Sequence, residues 1–248
     1  MRLLLIFLLL TLTGSVSAQQ KNAETDTSYL FLKKQPLSSF IEKEISPNPT
    51  IRTLAVPLVL ITYGVISQTS EDLKEFDTGI KTEIREKKFH TSVDNYLQYA
   101  PGLAVFGLNA AGINGKHNFR DRTFTYLLAN VMMGVTVQSI KAITKVRRPD
   151  GFGSNAFPSG HTATAFAGAE FLRQEYKDVS PWYGIAGYTA ATATGILRMY
   201  NNKHWLRDVV AGAGFGILST ELAYWLEPKL AKMIFHKKES AHFDPANF

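Results

Sequence analysis

The sequence predicts an all-α fold: a membrane-embedded helical bundle of about five or six core helices with an exported N-terminal arm. Three observations lead there. Five apolar stretches, 97–113, 123–140, 162–176, 182–197 and 205–226, each have helical length and are separated by short polar breaks. The chain opens on a short hydrophobic leader. The charged and polar residues of its second half collect at the ends of the apolar stretches instead of spreading along them. Hydrophobic residues make up 45% of the chain and the net charge is +6, a balance that suits a protein beside anionic lipid. No motif or aromatic-lined basic face supports nucleic acid as a partner.

Taken in order, residues 1–18 have the pattern of a secretory signal peptide, with Arg2, an apolar run over 3–12 and the small cleavage-site residues Val16-Ser17-Ala18. The chain has no cysteine, so neither a lipoprotein anchor nor a disulfide is available. Residues 19–50 are polar, punctuated by Pro36, Pro47 and Pro49, and form a loose arm. The apolar run 54–66 is short and is expected not to cross the membrane. Residues 68–96 mix acids and bases and are expected to form surface or interfacial helices. The division is therefore a signal peptide over 1–18, an arm with interfacial helices over 19–96, a catalytic bundle over 97–228 and a basic tail over 229–248. If 97–113 runs inward, the loop 114–122 with Lys116, Arg120 and Arg122 and the tail with Lys229, Lys232, Lys237 and Lys238 lie in the cytoplasm, in agreement with the positive-inside rule.

Three islands of chemistry lie between residues 141 and 208. The first runs from Lys141 to Arg148-Pro149, the second is Phe157-Pro158-Ser159-Gly160-His161-Thr162, and the third runs from Arg198 through His204 to Asp208. Helices over 162–175 and 182–197 run out and back by similar lengths at about 1.5 Å per residue. Arg198 thus returns to the end where His161 begins. Lys141, Arg148 and Arg198 would repel one another in an empty site, so an anion is the natural occupant, and the guanidinium fork suits phosphate oxygens. Ser159 and Gly160 lie at a helix N-terminus, where backbone N–H groups attract negative charge. His204 and Asp208, four residues apart, are expected to stack on one helix face. The carboxylate would fix one ring nitrogen and leave the other free to attack. His161, on the opposing wall, is left to protonate the departing alkoxide and then to activate water.

Each island alone has an ordinary structural explanation: a basic helix end, a turn with a helix cap, and a contact on an exposed helix. All three in order, at lengths that let them converge, make a site. Together they resemble the signature of the type 2 phosphatidic acid phosphatase (PAP2) superfamily, Lys-x6-Arg-Pro, Pro-Ser-Gly-His and Ser-Arg-x5-His-x3-Asp, with Leu197 in place of the Ser of the third part. The resemblance covers roughly the C-terminal half of the chain. It implies a metal-independent phosphatase without a cofactor, in which His204 carries a phosphoryl group, Asp208 orients it and His161 is acid and base. Lys141, Arg148, Ser159, Gly160 and Arg198 would hold the transferring group. It also implies a phosphorylated lipid substrate, foremost a lipid A phosphate, otherwise undecaprenyl pyrophosphate or phosphatidylglycerol phosphate, and a bacterial inner-membrane location with the site facing the periplasm. The rival readings are a soluble exported acid phosphatase, a vanadium-dependent haloperoxidase and an idle lipid-binding relative.

Other residues invite less. Gly212, Gly214 and Gly216 miss the dinucleotide spacing and, like 190–195, are expected to let helices pack closely. Glu170 and Arg173 are expected to pair at i, i+3. His90, His117, His236 and His242 lack partners at metal-ligand spacing and are expected at the surface or the membrane interface.

Overall fold

The computed structural model describes residues 51–85 and 90–235. The leader, the arm up to residue 50, and His236 and His242 lie outside the described residues. Those described contain eight helices and no strand: α1 (Ile51–Ile66), α2 (Glu71–Arg85), α3 (Asp94–Leu97), α4 (Ala100–Ala110), α5 (Phe119–Thr144), α6 (Gly160–Tyr176), α7 (Pro181–Tyr200) and α8 (Leu206–Phe235). Helix α6 is the axis. It packs most heavily on α7 and α8, then on α4 and α5, and its Ala163, Ala165, Phe166, Ala167, Ala169, Phe171 and Tyr176 are buried.

Local sequence sets the boundaries. Asn118 caps α5 by accepting from Asp121 N–H at 2.9 Å. Ser159 caps α6, and Ser180 caps α7 with Pro181 in the first turn. Helix α5 stops at Lys145, which takes the left-handed conformation (φ 47°) and turns the chain into the loop before α6. Helix α8 continues through Pro228 to Phe235, so it extends past residue 229, where the basic tail was expected to begin.

The small residues of α8 bring three helices together. A Cβ at Gly212 would lie 2.6 Å from the carbonyl of Ser159, and one at Gly216 would strike the carbonyl of Ala163, both on α6 or its cap. One at Gly214 would lie 2.7 Å from the carbonyl of Pro57 on α1. On α7, a Cβ at Gly195 would lie 2.7 Å from Val209 of α8. The expected role in close packing holds, with α1 as an added partner: the run 54–66 lies along α8.

Helix α5 (Phe119–Thr144) and residues Leu206–Ile234 of α8 are long and apolar enough to cross a membrane. Helices α1 and α2 would form a third crossing if taken as one span bent by 95°. On α5, Leu127, Val131, Val135 and Ile143 recur at four-residue intervals or multiples of them, and all are exposed. A solvent-facing apolar stripe of this length is unfavourable in water and is at home against acyl chains. The chain is a membrane protein.

The far end of α6 carries buried charge. Arg173 donates to Glu170 through Nε at 2.8 Å and reaches Glu221 at 3.1 Å, while Gln174 Nε2 donates to both carboxylates at 3.0 Å. The expected i, i+3 pair is thus one edge of a larger network. Two expectations are corrected beside it. Arg122 is 1% exposed and donates to Glu175 at 3.2 Å, so it is a core residue and not a cytoplasmic loop cation. His117 is half-buried, with Nδ1 2.6 Å from Glu175 Oε1. Glu175 also accepts from Tyr224 at 2.7 Å. A fully buried carboxylate needs such partners to stay charged, and the apolar pattern of α6 hides the need.

Candidate active site

The site forms at the opposite end, where α5 ends and α6 and α8 begin. Lys141, in the last turn of α5, donates from Nζ to the Asn155 carbonyl at 2.5 Å, and Arg148 Nε donates to Asn155 Oδ1 at 2.8 Å. One asparagine thus holds both cations of the first island. The loop folds back on itself through Ala156 N–H to Val146 C=O at 2.9 Å, with Gly151 and Gly153 at φ 83° and 88°. Only glycine adopts such angles without strain.

Backbone contacts tie the islands together. Ser159 N–H donates to the Asp208 carbonyl at 2.9 Å. Trp205 Nε1 donates to the Arg147 carbonyl at 3.0 Å, and Lys203 pairs with Asp150 at 2.9 Å. Arg207 pairs with the buried Asp77 of α2 at 2.8 Å. Helix α2, expected at the surface or interface, therefore also pins the start of α8.

Each expected site residue has a distinct place. Ser159 is fully buried; its Oγ caps α6 and accepts from Thr162 Oγ1 at 2.9 Å, leaving its own hydroxyl hydrogen to donate. At Gly160 an added Cβ would meet nothing nearer than Val137 at 4.0 Å, so there is room beside the first residue of α6. Arg198 is buried in the last turn of α7 and pairs through Nη1 with Asp94 of α3 at 2.5 Å. Its Nε has no partner among the described residues. His161 is half-buried, with Nε2 3.0 Å from Asn95 Oδ1. His204 is buried.

One expectation about His204 is corrected. It does not share a helix face with Asp208, because α8 begins at Leu206 and His204 lies in the loop before it. Asp208, the third residue of the helix, turns back to accept from Trp205 N–H at 2.9 Å, the return half of a capping box. The same Oδ2 lies 3.5 Å from His204 Nδ1, an ion-pair distance but not a formed hydrogen bond, and His204 Nδ1 has no hydrogen-bond partner among the described residues.

The electrostatics show which groups share the site. Burial, then the charge of Arg198, hold His161 down to about 4, with smaller contributions of the same sign from His204 and Arg148 and an opposing one from Asp94. Burial, then Lys141, Arg198 and Arg148, keep His204 well below the usual imidazole range. Both imidazoles are therefore neutral at pH 7, with Arg198 and Arg148 acting on both and Lys141 on His204. Such a cradle attracts a multiply charged anion and presents it with a neutral ring. No cluster of three or more metal-ligating side chains occurs among the described residues.

Asp94, Asn95 and Asn155 were missed in the sequence. Asn155 lies between two recognised islands, where a polar residue in a glycine-bearing loop was a usable signal. Asp94 and Asn95 carried none.

The sequence model of the PAP2 superfamily matches residues 122–232, the segment that carries all three islands. A lipid A 1-phosphatase of Porphyromonas gingivalis is 44% identical over 139 residues, 56% of this chain and 31% of that one. The bacitracin transport permease protein BcrC of Bacillus licheniformis is 36% identical over 77 residues, 31% of this chain and 36% of that one. The chain thus spans about a third of the length of each of these relatives. A crystal structure of a transmembrane PAP2 type phosphatidylglycerolphosphate phosphatase from Bacillus subtilis aligns at a TM-score of 0.48 and 20% identity, covering 71% of this chain and 97% of that one.

Proposed function

We propose that the chain is a metal-independent lipid phosphatase that removes a phosphate from lipid A through a phosphohistidine on His204, at the outer face of the bacterial inner membrane. The observation that carries the chemistry is the convergence of Arg148 and Arg198 on two neutral imidazoles, with Lys141 acting on His204. The identity to the P. gingivalis enzyme supports lipid A as the substrate.

Lys141, Arg148 and Arg198 bind the phosphoryl oxygens, joined by the Ser159 hydroxyl and the N–H groups opening α6. His204 attacks phosphorus through Nε2, because Nδ1 faces Asp208. The bond to the lipid oxygen breaks and that oxygen takes a proton from His161. Asp208 offsets the charge developing on the ring. Water, losing a proton to His161, then attacks the phosphohistidine; inorganic phosphate leaves and both histidines are restored.

The outward orientation is supported by Lys116 before α5, Arg120 in its first turn, and Lys229 and Lys232 late in α8, which gather at the end away from the site. A cysteine introduced at Lys145 in this cysteine-free chain should be labelled in intact spheroplasts by an impermeant maleimide; protection until lysis would reverse the orientation. Mass spectrometry of lipids from cells with and without the protein tests the substrate. Lipid A lighter by one phosphate only in cells with the protein is expected, and unchanged lipid A beside a loss from another class would reassign it.

The low values at the two imidazoles set a pH dependence. The nucleophile must be neutral and His204 stays neutral into acid. The acid must carry a proton, which His161 in the free site gains only as pH falls from its ordinary 6.5 toward about 4. The kcat/KM profile should therefore decline with rising pH already below 6.5. A bound phosphoryl dianion offsets the guanidinium charges and favours the imidazolium, so the same limb should lie at higher pH in kcat. Coincident limbs in the two profiles would contradict this.

A further inference from the structure

Residues 90–98 form part of the site although they stand apart from its three islands and outside the PAP2 match over 122–232. Thr91 exchanges hydrogen bonds with Asn201 just after α7: its N–H donates to Asn201 Oδ1 at 3.0 Å and its carbonyl accepts from Asn201 Nδ2 at 2.7 Å. This clamp delivers two further contacts. Asp94 is 1% exposed and meets Arg198 Nη1 at 2.5 Å. Asn95 Oδ1 lies 3.0 Å from His161 Nε2. The residues joined here are separated by 110, 104 and 66 positions, so the contacts come from tertiary placement and not from local turns.

We propose that Asp94 and Asn95 are positioning residues, the first fixing the guanidinium of Arg198 for the phosphoryl group and the second fixing the tautomer and ring orientation of His161 for proton transfer. The proposal rests on the reading of Arg198 as a phosphoryl anchor and His161 as acid and base. By taking one terminal nitrogen of Arg198, Asp94 leaves Nε, which has no partner among the described residues, and Nη2 for a bound anion. A guanidinium held on one edge keeps its fork for the other. Asn95 Oδ1 can only accept, so Nε2 of His161 carries hydrogen and Nδ1 becomes the atom that gives and takes the catalytic proton. Asn95 then serves His161 as Asp208 serves His204, with a neutral amide in place of a carboxylate. That difference suits their tasks: a carboxylate stabilises a ring that becomes cationic, whereas a neutral acceptor lets an acid release its proton. The charged or titratable groups acting on His161 are Arg198 of α7, Asp94 of α3, His204 before α8 and Arg148 of the loop after α5.

The test uses the purified full-length protein in detergent with two soluble phosphate monoesters: p-nitrophenyl phosphate, whose leaving group departs without a proton, and an alkyl phosphate, whose leaving group needs one. The variants are Asn95→Ala, Asn95→Asp and Asp94→Asn, with His161→Ala as the reference. Asn95 is exposed, so its replacement should spare the fold. Asn95→Ala should lower kcat/KM for the alkyl ester by about tenfold more than for the aryl ester, in the same sense as His161→Ala, because kcat/KM reports formation of the phosphoenzyme, where only the alkyl leaving group needs the proton, whereas the later attack of water is common to both esters. Asn95→Asp should restore the alkyl reaction and move the alkaline limb of kcat/KM to higher pH, since a carboxylate beside the ring favours its charged form. Asp94→Asn should raise KM for both esters alike. Equal losses of kcat/KM on both esters in Asn95→Ala, with no shift of the limb in Asn95→Asp, would overturn the role of Asn95 if kcat/KM of His161→Ala still discriminates. A His161→Ala protein that does not discriminate would overturn the acid assignment itself. An unchanged KM in Asp94→Asn would overturn the anchoring role of Asp94.

Discussion

Replacement of His204 by alanine is expected to lower turnover by about four orders of magnitude or more, the scale seen when a nucleophile acting as part of a catalytic unit is removed. The variant should form no phosphoenzyme with any substrate. Among the described residues no neighbouring group is placed to take over: His204 is buried, Asp208 is engaged with Trp205 N–H at 2.9 Å, and Ser159 caps α6. The partner variant His161→Ala behaves differently. It loses the proton for the alkoxide and the base for water, so a substrate with a good leaving group should still phosphorylate His204 while hydrolysis stalls. Phosphoenzyme should accumulate in that variant and be absent from His204→Ala, and quenched-flow trapping distinguishes the two. Full activity in His204→Ala would remove the nucleophile assignment.

The second large effect is structural. Glu175→Ala is expected to destabilise the protein by about 3–5 kcal/mol, the cost of leaving a buried charge without its partner. Arg122 is 1% exposed and Glu175 2%. Without the carboxylate, the guanidinium keeps the His117 carbonyl, while its Nη1 already has no partner among the described residues. His117 Nδ1 and the Tyr224 hydroxyl lose the acceptor they share at 2.6 and 2.7 Å. Thermal unfolding of the detergent-solubilised variant should occur well below that of the wild type, and Arg122→Met combined with Glu175→Leu should recover part of the loss, because an apolar pair of similar volume removes both desolvation penalties. A single Glu175→Ala variant as stable as the wild type would mean that the carboxylate is already neutral or hydrated.

What the sequence made legible and what it hid follow from the range of the interactions. The helical character of the second half and the return of Arg198 toward His161 depend on apolar runs and connection lengths, which are local quantities. The close packing at Gly212, Gly214 and Gly216 was readable because small residues at those intervals within an apolar helix have few other uses. His204 was placed on α8 because four-residue spacing reads as a helix face; Asp208 starts the helix two residues later by turning back on Trp205. Arg122 reads as a loop cation because a charge at the start of an apolar stretch is normally solvated, and the residue that buries it, Glu175, lies 53 positions away. Asp94 and Asn95 were invisible for the same reason: their partners are set by the clamp between Thr91 and Asn201, which no periodicity announces.

The phosphoryl group is expected to pass through His204, and the direct measurement is to locate it there. The His161→Ala protein, incubated with p-nitrophenyl phosphate and quenched in alkali to preserve a phosphoramidate, is digested and read by tandem mass spectrometry. A phosphoryl-sized increment on the peptide containing His204, lost on brief acid treatment, is the predicted result. An increment on Ser159 or on Asp208, or stoichiometric release of p-nitrophenol with no modified peptide at any time, would contradict it.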